Sequence, residues 1–223
     1  MTLTTTTPGV KVAVIAIEGI SGAGKSTLTL ALHPLLARLQ ARLSPEYVEL
    51  AGGVCNVPAP PASDANSRVE VIRFFLNIER ERFNAHLRNP EERRPLILDR
   101  SVYTLLAHSY AEENLFDYSC LDSSWAFIKS FPDICWPQLV LFIDTPQNEV
   151  QRRRSMTLPQ SLFTDPSFNF YFREFFESRL QKLDHSPQRP PNVVFLNGSS
   201  PAAELCETAN IKIHAFFERL TQW

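Results

Sequence analysis

KVAVIAIEGISGAGKSTLTL, residues 11–30, joins an apolar, β-branched run to three of the chain's seven glycines and then to a second apolar-periodic segment. Residues 11–18 are apolar on both faces, as a central strand of a parallel sheet must be. Residues 26–43, STLTLALHPLLARLQARL, predict a helix that continues through Pro34. Between them Gly19, Gly24, Lys25 and Ser26 satisfy G-x-x-x-x-G-K-[ST], in the strand-to-helix setting that gives the pattern its meaning. Glycines let successive backbone N–H groups turn inward around phosphate oxygens, and the helix N-terminus adds positive potential. Lys25 is expected to reach the β- and γ-phosphates and Ser26 to ligate Mg²⁺, with Ser21, Gly22, Ala23 and Thr27 completing the cradle. The expected cofactors are a nucleoside triphosphate, ATP or GTP, and Mg²⁺. A glycine-rich turn with a surface lysine is the plain alternative, and the flanking pattern argues against it.

Outward from this loop, short apolar runs alternate with longer amphipathic ones. Strands are expected at 47–51, 95–99, 138–144 and 192–197, and helices at 67–89, 101–113, 122–131, from Pro146, at 167–184 and at 201–221. This alternation implies an α/β protein, a parallel sheet covered on both faces. Ligands collect beyond the carboxyl ends of such strands, where Glu18, Asp99, Asp144 and Asn197 fall. Residues 52–66 hold Gly-Gly and three prolines and read as a long irregular loop.

The 223 residues predict one domain spanning 1–223, with residues 1–10 a flexible tail. A net charge of -2 gives no basic footprint for nucleic acid. Cys55, Cys120, Cys135 and Cys206 include no C-x-x-C pair, which fits a reduced, cytoplasmic setting without a zinc site. No signal-peptide pattern or membrane-length apolar run is present, so no membrane association is expected.

A phosphate loop serves GTPases, transport ATPases and small-molecule kinases. A guanine-reading N-K-x-D is missing, as are a D-x-x-G after the loop and the transport-ATPase signature. A kinase for a small acceptor is left as the leading reading, because phosphoryl transfer requires positioning and charge neutralisation. LILDRSVYTLLAHSYA (96–111) supplies candidates: Asp99 for Mg²⁺ and Arg100 for a phosphate oxygen pair. Asp99 capping the next helix is the alternative. On the helix at 67–89, Glu70, Arg73, Asn77, Arg80 and Asn84 form one polar stripe, facing either a ligand cleft or water. Arg152, Arg153 and Arg154 precede a loop and suit a closing lid over about 152–166, or a solvated charge run. Asp144-Thr145-Pro146 reads as a helix N-cap, and His108 as a packed or surface histidine.

IEGISGAGKSTL with LILDRSVYTLLAHSYA resembles the thymidylate kinase and deoxynucleoside kinase group of P-loop kinases, and PQLVLFIDTPQNEVQRRR is similar to the group's fourth strand and the helix leading to its lid. The resemblance implies a three-layer fold with a five-stranded sheet of order 2-3-1-4-5, a homodimer, and a nucleoside or nucleoside monophosphate as acceptor. It implies that Arg80, in the Glu79-Arg80 pair, serves the acceptor beside Arg73, Asn77 and Arg100. It places the lid arginines here, Arg153 for the transferring group and Arg152 toward the cofactor, and the donor adenine near Asn197. The group's nucleoside kinases carry a Glu-Pro after the second strand, which this chain lacks; Glu49 or Glu46 is the substitute. VELAGG (48–53) keeps Glu49 and Gly52-Gly53 of the thymidylate kinases' Arg-Glu-Pro-Gly-Gly, while Ser21 stands where those enzymes commonly have Asp. The acceptor therefore stays open between nucleoside and nucleotide. Alternatives are a kinase for another small-molecule hydroxyl and a nucleotide-binding switch without transfer.

Overall fold

Five parallel strands in the order β2-β3-β1-β4-β5 form the sheet of the structure, a computed structural model that describes residues 12–89, 94–154, 162–186 and 189–221. The strands are β1 (Val14–Glu18), β2 (Arg42–Ser44), β3 (Leu96–Asp99), β4 (Leu139–Asp144) and β5 (Asn192–Asn197). Every residue of β1 is buried, because helices cover both faces of the sheet and no position along a central strand meets water. The tail expected over residues 1–10 lies outside the described residues.

The helix α1 (Lys25–Arg38) follows the phosphate loop, and α8 (Ala202–Thr221) packs against it through Leu205, Ala209, Ile213 and Phe216, a spacing of three and four residues that lays one apolar stripe on the core. On the other side α3 (Ala65–His86), α4 (Val102–Leu115) and α7 (Pro166–Glu174) build the wall of a cleft beyond the strand ends, and α5 (Leu121–Lys129) packs against α3 and α4. Asp64 caps α3 by accepting from the Ser67 N–H at 2.9 Å, and Asp165 caps α7 from Ser167 and Phe168.

Two expectations for the second strand fail together. Residues 26–43 do not form one helix: α1 stops at Arg38, Gln40 takes a positive φ of 51°, and the chain re-enters the sheet as β2. Residues 47–51 form a short helix, α2 (Tyr47–Leu50), and no strand. Three residues of strand are too few to show a period of two, so the apolar phase of α1 reads on through them.

Parallel register then fixes what meets at the carboxyl edge. Ser44 pairs with Leu98, and Ile17 with Asp99. Two residues beyond Ser44 and Leu98 stand Glu46 and Arg100. On the far side Asp144 pairs with Asn197.

Candidate active site

The phosphate loop has the backbone its glycines permit. Gly19, Gly22 and Gly24 adopt φ of 146°, 82° and 108°, where a side chain is strained. A Cβ on Gly19 would also come within 2.9 Å of the Ile143 carbonyl oxygen. Lys25 is buried and donates to the Gly19 and Ile20 carbonyls, each at 3.3 Å. Burial, helped by the nearby Arg100 charge, lowers its pKa to about 8 against the opposing pull of Asp99, Glu46 and Glu18.

Two cavities open on this loop from opposite sides. One, of about 360 Å³, is lined by the loop from Gly22 to Thr27 together with Arg153, Gly198 and Ser200. The other, of about 470 Å³, runs from Ser21 and Lys25 past Glu46 and Arg100 to Arg68 and His108. Gly22, Lys25 and Ser26 line both. A group held on these residues is therefore reached from both cavities; following the expectation from the sequence, the first is called the donor side and the second the acceptor side.

On the donor side Arg153 donates to the carbonyls of Ala23 (3.0 Å) and Gly198 (2.8 Å), while its Nε donates to Glu149 (2.8 Å), so it joins the phosphate loop to the turn after β5. Arg152 is exposed and paired with the same carboxylate, whose pKa the two arginines, Arg152 foremost, hold down at about 2. Residues 155–161 of the expected lid and the Arg154 side chain lie outside the described residues. Asn197 does not line the donor cavity. Its Oδ1 accepts from the Ser199 N–H at 3.0 Å, which shapes the turn that brings Gly198 and Ser200 to the cavity. Ser21, expected in the cofactor cradle, faces the acceptor cavity instead. Asp144 is not an N-cap, since α6 (Gln147–Arg154) starts beyond it; its carboxylate binds Arg173 through two hydrogen bonds of 2.9 and 3.0 Å.

On the acceptor side Arg100 has φ of 65°, rare for a residue with a side chain. Its Nε donates to Glu46 Oε2 at 3.1 Å, and its Nη1 is buried with no hydrogen-bond partner. Such a strained conformation, costing about 1–3 kcal/mol, persists only where surroundings enforce it. The enforcing group is Arg82, 2% exposed, whose guanidinium donates to the carbonyls of Arg100 (3.1 Å), Asp99 (3.3 Å) and Pro45. Arg82 is balanced by Glu79 at 2.9 Å and lies over the Tyr47 ring at 4.3 Å, and Tyr47 donates to the same carboxylate at 2.7 Å. The ends of β2 and β3 are thus tied to one buried cation.

Asp99 Oδ1 is likewise buried without a partner, and burial raises the Asp99 pKa against the pull of Lys25. Glu18 accepts from the Ser101 N–H (2.9 Å), the Ser101 hydroxyl (2.7 Å) and Thr104, fixing the first turn of α4; burial pushes its pKa up and these bonds pull it back.

The polar stripe on α3 faces water. Arg73, Asn77 and Arg80 are exposed, with Arg73 paired to Glu70 and lying over Phe127, and Arg80 near Asp133 and over Phe131. Glu49 is exposed on α2 and outside the cavity. The residues that α3 brings inward are Arg68, Val71, Phe75, Glu79 and Arg82. Their signal was present in the sequence: Arg68, Glu79 and Arg82 occupy the phase of Ile72 and Leu76, and a charge at an apolar position is more informative than one on a polar face.

A parallel sheet of order 2-3-1-4-5, covered on both faces, with a phosphate loop after its central strand, is the three-layer P-loop NTPase fold expected from the sequence. Deoxyadenosine kinase from M. mycoides shares it. The structure with the products dCMP and a flexible dCDP bound aligns with a TM-score of 0.61 at 14% identity, covering 91% of this chain and 99% of that one. The structure with bound dATP gives a TM-score of 0.60 at 14% identity with the same coverage. No family model matches this sequence, and no curated protein matches it.

Proposed function

We propose that the protein transfers the γ-phosphoryl group of ATP to the 5′-hydroxyl of a nucleoside, residues 1–223 forming one catalytic domain with a lid within 152–166. The observation that carries this reading is the pair of cavities sharing Gly22, Lys25 and Ser26, with Glu46 and Arg100 at the head of the acceptor side. A neutral hydroxyl needs a base within hydrogen-bond reach. Glu46 is the carboxylate on the acceptor cavity, held by Arg100 and open to the cavity on its other side. The arginine keeps it oriented and offers its free Nη1 to the oxygen that becomes phosphorylated.

A nucleoside fits better than a monophosphate, as in a thymidylate-kinase-like enzyme, because of charge balance. Among the described residues lining the acceptor cavity the cations are Lys25, Arg68 and Arg100. Arg68 is already paired with Glu112, Arg100 with Glu46, and Lys25 belongs to the donor phosphates. No surplus cation is left for a dianion. The bound nucleotides of the M. mycoides enzyme agree with a deoxynucleoside acceptor.

The donor phosphates rest on the loop N–H groups and Lys25, and Arg153 closes the far wall. Asp99, with a buried unpartnered oxygen, and Ser26, on both cavities, are the residues suited to hold Mg²⁺ directly or through water. Bound there, the ion neutralises charge on the β- and γ-phosphates. The four free cysteines support a reducing, cytoplasmic setting; no helix among the described residues is long and apolar enough to cross a membrane. A homodimer is part of the proposal and is checked by sedimentation.

ADP release measured across nucleosides and nucleoside monophosphates, with ATP and GTP as donors, tests the reading. Turnover with nucleosides alone is expected, and turnover confined to monophosphates would overturn it.

A further inference from the structure

The acceptor cavity continues past Glu46 and Arg100 along α4 to a second polar group. Arg68 lines it at 3% exposure, held by three hydrogen bonds: Nε to the Ser109 hydroxyl at 2.9 Å, Nη2 to the Leu105 carbonyl at 2.7 Å and Nη1 to Glu112 at 3.3 Å. A guanidinium carries five N–H donors and no acceptor, so donors on both terminal nitrogens are left unspent. Glu112 neutralises the charge, and Tyr118 fixes Glu112 by donating its one hydroxyl proton at 2.8 Å, with its oxygen 3.2 Å from the Ala62 carbonyl on the proline-rich loop. The cluster is rigid, electrically balanced and unable to accept a hydrogen bond from a ligand through Arg68.

His108 lines the same part of the cavity, its ring 4.9 Å from Phe163 and 5.4 Å from both Phe168 and Phe172. Burial, with Arg68 close by, holds its pKa well below the usual histidine value. A neutral imidazole offers one donor and one acceptor, and its tautomer adapts to the partner. Arg68 cannot adapt, since it does not lose its proton. The aromatic walls, joined by Phe75 and Val71 from α3, suit a flat ring.

Resting on the nucleoside reading of this cavity, we infer that Arg68 and His108 select the lactam edge of a nucleobase, an oxo group beside a ring N–H. Thymine, uracil, guanine and hypoxanthine present that edge. The oxo group accepts from Arg68 and the ring N–H donates to His108. Cytosine and adenine present an amino group in place of the oxo group, and that donor meets the Arg68 donors with no acceptor between them. A buried pairing of two donors is costly to leave unmade. Leu105 and Ser109, which position Arg68, lie one and two turns beyond Ser101 on α4, so the discriminating group stands roughly 10 Å along the helix from the reacting end at 1.5 Å per residue. That is about the reach of a nucleoside from its 5′-oxygen to its far base edge.

Two substrate pairs isolate the edge: deoxyuridine against deoxycytidine, and deoxyinosine against deoxyadenosine. Wild-type kcat/KM is expected to favour the lactam member of each pair by about 10- to 100-fold, the discrimination a base-edge hydrogen-bond pattern supplies. The double variant Arg68→Gln with Glu112→Gln keeps the cluster neutral, and within its own rates each ratio is expected to fall to about threefold or less. Equal or inverted wild-type ratios, or ratios unchanged in a folded double variant, would overturn the inference. If none of the four nucleosides turned over, the nucleoside-kinase reading would fail for them, and calorimetric binding of the same four with ADP present would decide the edge reading separately: lactam preference upholds it, and no preference or no binding ends it.

Discussion

Glu46 Oε2 stands 3.1 Å from Arg100 Nε although 54 residues separate them, because each lies two positions past the register pair Ser44 and Leu98. The carboxylate faces the acceptor cavity on its unpaired side. As the proposed base, Glu46 is expected to contribute to the chemical step far more than to binding. Glu46→Gln is expected to lower kcat by about 10²- to 10⁴-fold, with KM for both substrates changed less than about threefold. The ion pair is part exposed, so the melting temperature should move little. Steady-state kinetics beside a thermal melt separates the two; an equal loss in kcat and in stability would deny the role.

Arg82 holds that geometry from beneath. With side-chain exposure of 1% for Arg82 and 0% for Glu79, removing one partner strands a buried charge. Arg82→Met is expected to cost about 3–5 kcal/mol in denaturant unfolding. Adding Glu79→Gln should return most of that stability. It should not return kcat, because the carbonyls of Pro45, Asp99 and Arg100 would still lack their common donor. Recovery of both would reduce Arg82 to a packing residue.

The phosphate loop and the strands β1, β3, β4 and β5 were legible because each is written in a contiguous run whose pattern has one strong reading, while the sheet order came only with the family resemblance. Glu46 was obscured by β2, three residues that continue the phase of the preceding helix. On α3 the polar stripe at Arg73, Asn77 and Arg80 had two readings, and only tertiary packing chooses between them: α4 covers Arg68, and α2 with the ends of β2 and β3 covers Glu79 and Arg82, leaving the other stripe to water. The choice is testable. Arg73→Ala and Arg80→Ala are each expected to leave kcat/KM within about twofold and stability within about 0.5 kcal/mol, as for most exposed positions. A tenfold loss of activity in either would restore the stripe to the acceptor.

Gly198 lies where β5 turns under the donor cavity. A Cβ there would fall 1.8 Å from Thr145 Oγ1, whose hydroxyl donates to the Ala23 carbonyl at 2.9 Å. Gly198→Ala must therefore displace Thr145 from the back of the phosphate loop and disturb the carbonyl that Arg153 grips at 2.8 Å. Overpacking of this kind costs about 1–3 kcal/mol. The expected result is KM for ATP raised about tenfold or more, with KM for the nucleoside changed far less.

Lys25 couples stability and nucleotide binding to pH with opposite signs. Its pKa in the ligand-free fold is about 8, below the ordinary lysine value of 10.5, so between those pH values the unfolded chain holds a proton that the fold has released. Stability from this group therefore rises with pH through that window, at a limiting slope of about 1.4 kcal/mol per unit. Lys25→Met lacks the buried ammonium, so it is expected to be more stable than wild type at pH 7, with the gap narrowing from pH 8 toward 10.5. Phosphate binding requires the charged form, so wild-type affinity for ATP should instead fall above pH 8, approaching tenfold per unit. Denaturant unfolding of both proteins and calorimetry of ATP binding to wild type, from pH 7 to 9.5, read the two slopes. A constant stability gap together with a flat ATP affinity would show that Lys25 keeps its proton throughout.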